Sequence, residues 1–129
     1  RTLPIVAEDP SKTPCILATQ GSWEWCMRVA RVAPNWRNEV TIRSLELMFG
    51  FEPMAYVDRI TPRPFLLIGC EKDELIPFEL TREAFNRSRS PNKDLIVLPT
   101  GHYSCYDESF SQTAEASLNW FAKHLRLGA

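Results

Sequence analysis

The sequence lacks an excess of charge of either sign and lacks any long apolar run. Its 129 residues carry 15 Lys and Arg against 16 Asp and Glu, a formal net charge of −1. Nucleic acid and anionic membrane surfaces are therefore poor candidate partners, because both are bound through clustered positive charge. Apolar runs such as residues 65–68 and 95–98 are far shorter than the ~20 residues of a membrane-spanning helix. We expect no nucleic acid and no membrane among the partners.

Metal-binding patterns and a leader are also missing. The four cysteines form no CxxC pair and neither histidine lies at zinc-finger spacing, so we expect no metal. With 44% hydrophobic residues the chain needs no disulfides to build a core, which favours free thiols in the cytoplasm. The sequence begins at Arg1 with no segment resembling a signal peptide, and we expect it to be a piece of a longer protein.

Residues 1–60 are predicted to form an extended, proline-containing segment followed by helices, a cap-like region ahead of the second half. Three helical segments are expected, over residues 22–33, 36–49 and 53–59. Ser22 and Asn35 are the predicted N-caps of the first two, because small polar side chains accept hydrogen bonds from the first free amides. Gly50 is expected to end the second helix.

Residues 61–129 are predicted to form a second region with alternating strands and helices. The apolar runs at 65–68 and 94–98 are bounded by breakers, which is typical of strands buried on both faces. Pro77, at a first helical position, opens a helix that reaches about Ser88. A strand, a helix and a strand over this length predict a βαβ unit with parallel strands.

A final amphipathic helix is predicted to start near Asp107 or Ser109 and to reach Arg126, with Gly128 just beyond its end. Its apolar residues are spaced to cover a sheet: Phe110, Ala114, Phe121 and Leu125.

Two polar loops follow the predicted strands, and one residue in each can carry chemistry. Asp73 lies after the first strand and His102 after the second. Parallel strands joined by one helix end at the same edge of a sheet, so the two side chains are expected to meet. A carboxylate that holds one imidazole nitrogen leaves the other to take a proton, which is the acid and base part of a nucleophilic triad.

The stretch from Ile60 to Leu125 resembles the C-terminal end of the α/β-hydrolase fold. Gly69, Asp73 and Pro77 match the motif after the acid strand, and Gly101 with His102 matches the motif before the closing helix. The resemblance implies that Asp73 is the triad acid and His102 the general base. The upstream stretches 36–40 and 56–57 look like a dienelactone-hydrolase-like or acyl-peptidase-like subgroup. The expected fold is therefore α/β, the C-terminal βαβα portion of a hydrolase sheet behind a mainly helical cap-like region.

The part of that family which carries the nucleophile has no counterpart here. Glycines occur only at 21, 50, 69, 101 and 128, and no two are four apart, so the Gly-x-Ser-x-Gly elbow is absent from the sequence. The oxyanion-hole loop that precedes it is absent too. We expect the N-terminal part of the same hydrolase, or a second copy of the chain, to supply the nucleophile and to pair with the open strand edges.

Other residues compete for these roles. Glu71 and Glu74 are alternative candidates for the triad acid, although loop carboxylates are usually only solvated. Asp73 could instead have a structural role, as a carboxylate near the N-terminus of the helix that Pro77 opens. Cys105 near His102 invites a Cys–His dyad, and His124 is better explained as a cation near a helix C-terminus. A further group fits either an acyl pocket or plain core packing: Trp23, Trp25 and Trp36.

The resulting hypothesis is the C-terminal part of a serine-type α/β-hydrolase that cleaves an ester, thioester or related small acyl substrate. His102 would take the proton of an external nucleophile while Asp73 holds the imidazole, and no cofactor is implied. The isolated chain is expected to be inactive. The alternative is a non-catalytic, hydrolase-derived interaction fragment that associates through its open strand edge.

Overall fold

The computed structural model describes residues 1–125, which form two compact units, Arg1–Glu52 and the residues from Pro53 onward. The predicted helix end at Arg126 and the terminal Gly128 lie outside the described residues. The division falls before residues 53–60 because this short segment packs on a helix of the second unit, whereas the sequence pattern groups residues 1–60 together.

The first unit is small and largely irregular. Strands β1 (Thr2–Leu3) and β2 (Val40–Thr41) pair antiparallel, with Leu3 opposite Val40. Two helices complete it, α1 (Gln20–Ala30) and α2 (Ile42–Phe49). The predicted end of α2 at Phe49 is confirmed, and Gly50, expected one position further out as the C′ residue, is the C-cap.

Helix α1 begins before its predicted start. Thr19, not Ser22, is the N-cap, and its Oγ1 accepts a hydrogen bond from the Ser22 amide at 3.1 Å. Ser22 lies inside the first turn and is fully buried. The helix ends at Ala30 rather than Ala33. Threonine and serine both suit a cap, and the backbone becomes helical directly after the earlier of the two.

Helix α2 begins at Ile42, so the predicted cap at Asn35 and the helix from residue 36 are wrong. The Asn38 side chain instead accepts hydrogen bonds from the amides of Ile5 and Val6, each at 3.0 Å, and donates to the Val6 carbonyl at 2.9 Å. These bonds to a segment more than thirty residues away hold the backbone out of a helix, and Thr41 becomes the cap.

The second unit contains the predicted βαβ unit. Its elements are a 3₁₀ helix (Pro53–Ile60), β3 (Phe65–Cys70), α3 (Phe78–Arg87), β4 (Lys93–Leu98), a second 3₁₀ helix (His102–Tyr106) and α4 (Phe110–His124). Strands β3 and β4 are parallel, from Phe65 opposite Lys93 to Cys70 opposite Leu98. Pro77 is the N-cap of α3, one position before its predicted place.

Burial on both faces was predicted for both strands. Every residue of β3 is half-buried or buried, but the prediction is wrong for β4, whose Asp94 and Val97 are exposed. Leu98 is completely buried, but Val97 is 43% exposed, and the predicted inner face of α4 has Phe110, Phe121 and Leu125 exposed. A strand is covered on both faces only when other elements lie above and below it. Helices α3 and α4 both pack on β3, and α3 packs on β4.

Gly69 allows helix α3 to approach strand β3 closely. A Cβ at this position would lie 2.8 Å from Thr81 Cγ2 and 2.9 Å from Phe78 Cε2. Phe78 is buried and Thr81 is stiff at χ1, so neither can move aside without shifting the helix. Glycine at position 69 therefore sets the spacing between β3 and α3.

We predict that Gly69→Ala lowers the free energy of unfolding by about 1–3 kcal/mol, because the added methyl group overpacks this contact. Urea denaturation of the full chain, followed by circular dichroism, measures the change. Gly50→Ala is the matched control, since a Cβ there meets only carbonyl oxygens at 3.7 Å. Equal losses in the two variants would contradict the explanation.

Candidate active site at the ends of strands β3 and β4

The loops that leave β3 and β4 run side by side beyond the last strand pair. The Glu71 amide donates to the Leu98 carbonyl at 2.8 Å, and the Lys72 amide donates to the Thr100 carbonyl at 3.0 Å. The parallel ladder thus continues for two residues past the end of β3. This continuation brings the residues that follow, Asp73 and His102, to the same edge of the sheet.

Asp73 and His102 are in direct contact. His102 Nδ1 lies 2.8 Å from Asp73 Oδ2, which is hydrogen-bond distance. The Asp73 side chain is only 10% exposed, and the His102 side chain is 25% exposed. The structure therefore brings together the two residues that the sequence singled out.

The second oxygen of Asp73 is fixed by its own loop. Asp73 Oδ1 accepts hydrogen bonds from the amides of Leu75 at 2.8 Å and Ile76 at 2.9 Å. Burial tends to raise the pKa of this carboxyl, but hydrogen bonds from the Ile76 amide, from His102 and from the Leu75 amide outweigh it, and the net pKa is lowered. The Asp73 carboxyl is thus ionised, and an ionised carboxylate can only accept hydrogen bonds. His102 Nδ1 is therefore the donor and carries the proton in this contact.

The lowered pKa of Asp73 predicts a pH-dependent contribution to stability. A carboxyl whose pKa falls on folding stabilises the fold above its unfolded pKa of about 4, and this is lost as the pH falls through the folded pKa. The difference in unfolding free energy between the parent and Asp73→Asn should therefore shrink as the pH falls below about 4. Urea titrations of the full chain at each pH measure it; a difference that does not change with pH would refute the prediction.

The His102 loop is held by a buried serine. Ser104 Oγ donates to Thr100 Oγ1 at 2.5 Å and lies 3.1 Å from Ser109 Oγ, while the Ser109 amide donates to the Ser104 carbonyl at 2.9 Å. Ser104 therefore connects the end of β4 to the start of α4 across the turn that carries His102. The local sequence does not predict this role for Ser104, because its hydroxyl partners are set by the folding of the loop.

The other residues proposed for chemistry lie in different settings. Glu71 and Glu74 are both exposed, and the carboxylate that meets His102 belongs to Asp73. The ring of His124 lies 4.2 Å from that of Trp120, and its Nε2 is buried without a hydrogen-bond partner among residues 1–125.

Cys105 contacts Cys70, and burial, together with Cys70 and Asp73, raises the pKa of the Cys105 thiol to about 11. A thiol with such a pKa is a poor nucleophile near neutral pH.

The predictions about the tryptophans, a metal site and a membrane span can also be compared with the structure. Trp23, Trp25 and Trp36 are each half-buried, and Arg28 lies over the Trp25 ring at 5.0 Å. Within residues 1–125, no three His, Cys, Asp or Glu side chains are grouped so that they could hold a metal ion. None of the helices in that range is long and apolar enough to cross a membrane.

The arrangement can transfer protons. With Nδ1 held by Asp73, His102 Nε2 is left as the ring nitrogen able to take up a proton, and a neighbouring carboxylate stabilises an imidazolium. The position of both groups at the carboxyl ends of parallel strands is where open α/β sheets place their active sites.

Comparison with solved structures identifies the fold. The chain superposes on the α/β hydrolase GrgF from Penicillium sp. sh18 with a TM-score of 0.75 over 97% of its length, at 22% sequence identity. This chain has the α/β-hydrolase fold. It also superposes on DcsB, solved in complex with a substrate analogue, with a TM-score of 0.75 over 97% of the chain at 17% identity. The match covers 42% of GrgF and 44% of DcsB, so the α/β-hydrolase portion seen here spans less than half of either protein.

Sequence comparison adds one curated relative. The chain is 24% identical over 93 residues to the polyketide transferase ATR5 of Stachybotrys chlorohalonatus, a match that covers 71% of the chain and 31% of that protein. No protein-family model matches the sequence. The chain therefore spans about a third of the curated relative it matches.

Proposed function

We propose that this chain supplies the acid and the base of a catalytic triad in an α/β-hydrolase-fold enzyme that transfers acyl groups. The observation that carries the proposal is the 2.8 Å contact between His102 Nδ1 and Asp73 Oδ2 at the carboxyl end of the parallel sheet. The nucleophile is a Ser or Cys outside this chain, because the sequence contains no Gly-x-Ser-x-Gly.

The proposed mechanism uses His102 twice. Its Nε2 takes the proton from the external nucleophile as that oxygen or sulfur forms a bond to the acyl carbon. It then gives this proton to the leaving alcohol or thiol as the bond to the acyl group breaks, which leaves a covalent acyl-enzyme. In the second half, the acceptor gives its proton to His102 as it forms a bond to the acyl carbon. His102 returns this proton to the Ser or Cys as the bond between that residue and the acyl group breaks. Asp73 holds the ring through Nδ1 in every step.

We propose an ester or a thioester as the acyl donor. The relative named as a polyketide transferase supports a polyketide-type acyl group, and transfer to a hydroxyl or amine acceptor, with water as the competing acceptor. Membership of a dienelactone-hydrolase-like or acyl-peptidase-like subgroup stays a prediction, and it would involve the same transfer of an acyl group to the nucleophile. For either kind of acyl donor, Asp73 orients the imidazole and His102 moves the protons.

We propose that the partner is the N-terminal part of the same protein. Helix α4 presents an exposed apolar stripe, with Phe110, Leu118, Phe121 and Leu125 each more than half exposed. An apolar stripe of this kind on a helix is usually covered by another element. Within residues 1–125 the β3–β4 sheet has no third strand, which leaves edges for the partner's strands.

The test is to trap the acyl-enzyme. The protein that includes the preceding part of the gene is mixed with p-nitrophenyl acetate or a simple acyl thioester, and intact-mass and peptide analysis locates the adduct. We expect a burst of leaving group and an acyl adduct on a Ser or Cys outside the chain. An adduct within the chain would refute the external nucleophile. No turnover, together with stable association through the strand edge, would favour the non-catalytic interaction fragment.

A further inference from the structure

Two thiols that the proposed mechanism does not use lie beside the Asp73–His102 pair. Cys70 is the last residue of β3 and is buried, and Cys105 belongs to the 3₁₀ helix that starts at His102. Their sulfur atoms are 3.4 Å apart. Thr100 Oγ1 lies 3.9 Å from the Cys70 sulfur, so Cys70 is enclosed between Cys105 and the end of β4.

We propose that Cys70 and Cys105 are a redox modification site, a dithiol that a small disulfide such as glutathione disulfide converts reversibly to a Cys70–Cys105 disulfide. The sulfurs are 3.4 Å apart against about 2.05 Å in a disulfide, so about 1.4 Å of movement closes the bond. Side-chain rotation covers a distance of this size. The two other cysteines lie in the first unit and have no part in the proposal.

The exchange proceeds in two balanced steps. Cys105, the more accessible of the two, loses its proton and attacks one sulfur of glutathione disulfide, which forms a mixed disulfide and expels one glutathione thiolate. Cys70 then loses its proton and attacks the Cys105 sulfur, which expels the second glutathione thiolate. Both thiolates take up the released protons, so two protein thiols are oxidised and one glutathione disulfide is reduced to two thiols.

The resting state of the pair is the reduced dithiol. Burial, the contact with Cys70 and the nearby carboxylate of Asp73 raise the pKa of the Cys105 thiol to about 11. A thiol so protonated reacts slowly, so oxidation requires a sustained excess of the disulfide or a mildly alkaline solution. The site is therefore stable in a reducing compartment and changes state only when the thiol–disulfide balance changes.

The bond would join the two loops of the candidate active site. Cys70 precedes Asp73 by three residues, and Cys105 follows His102 by three. A disulfide here closes a loop between residues separated by 35 positions and ties the end of β3 to the turn that carries His102. It fixes the acid loop and the base loop to each other without replacing either catalytic group.

The experiment uses the full chain with Cys15→Ser and Cys26→Ser, which leaves only Cys70 and Cys105. The folded protein is incubated with excess glutathione disulfide at mildly alkaline pH, and intact mass and proteolytic peptides are analysed. We expect the loss of two hydrogen atoms, one peptide that joins Cys70 to Cys105, and a rise in the thermal midpoint of about 5–10 °C that dithiothreitol reverses. Adding Cys105→Ser is the matched control and should leave a glutathione adduct at most.

Two results would overturn the proposal. One is a folded protein in which both thiols stay free or carry separate glutathione adducts, while the urea-unfolded chain forms the disulfide. The other is a Cys70–Cys105 peptide that appears without a rise in the thermal midpoint, because the bond would then require a distorted fold. If the double serine background does not fold, the same peptide analysis is made on the parent chain. The outcome does not depend on whether the acyl-transfer proposal holds.

Discussion

Replacing His102 by Gln in the protein that carries the nucleophile is expected to lower kcat/KM by at least about 10,000-fold. Glutamine can still donate a hydrogen bond to Asp73 Oδ2, but it cannot take a proton from the nucleophile or return one to the leaving group. Both halves of the reaction therefore lose their proton carrier. Initial rates with an activated acyl ester and with an acyl thioester measure the loss.

The stability of the same variant serves as its control. Because the substituted glutamine would retain a polar contact to Asp73, urea denaturation should show a loss of less than about 1 kcal/mol. Activity equal to that of the parent would end the triad assignment. A variant that is inactive and also unfolded calls for His102→Asn, which tests the same proton transfer with a smaller side chain.

Replacing Asp73 by Asn is expected to lower kcat by about 1,000- to 10,000-fold and to leave KM nearly unchanged. The Asn carbonyl oxygen can still accept from the amides of Leu75 and Ile76, so the loop keeps its shape. Its amide group then faces His102 Nδ1, which favours the tautomer with the proton on Nε2. In that tautomer the imidazole cannot act as a base toward the nucleophile.

Glu74→Gln is the matched control for Asp73→Asn. It removes one carboxylate from the adjacent position of the same loop, and the Glu74 side chain is exposed. We expect it to retain the parental rate. If Glu74→Gln lost activity while Asp73→Asn kept it, the acid of the triad would be Glu74, and the geometry described here would not be the catalytic one.

The part of the fold that local pattern determines was predictable. Two apolar runs bounded by breakers, with one amphipathic helix between them, predicted a βαβ unit, and β3, α3 and β4 confirm it. The convergence of Asp73 and His102 follows from the same topology, since parallel strands end at one edge. These inferences needed no knowledge of contacts between distant residues.

The features that were missed depend on such contacts. Asn38 bonds to residues more than thirty positions away, and nothing in the local sequence showed that these bonds would replace the helix predicted to start after Asn35. Cys70 and Cys105 are 35 positions apart in the sequence, and their sulfur atoms lie 3.4 Å apart. The residues around each cysteine do not predict this contact. The apolar face of α4 was predicted to cover a sheet, but it is exposed. The spacing of apolar residues shows which face of a helix is apolar, and it does not show which element packs against that face.

The two oxygens of Asp73 have separate partners, and this separation has an entropic consequence. Oδ1 is bound by amides two and three residues further along the chain, so the rotamer is selected as soon as the loop folds. The freedom of the carboxylate is therefore lost during folding and not when substrate arrives. In the proposed mechanism, Asp73 therefore does not have to be ordered when the substrate binds, and the short loop presents an aligned acceptor to the neighbouring imidazole.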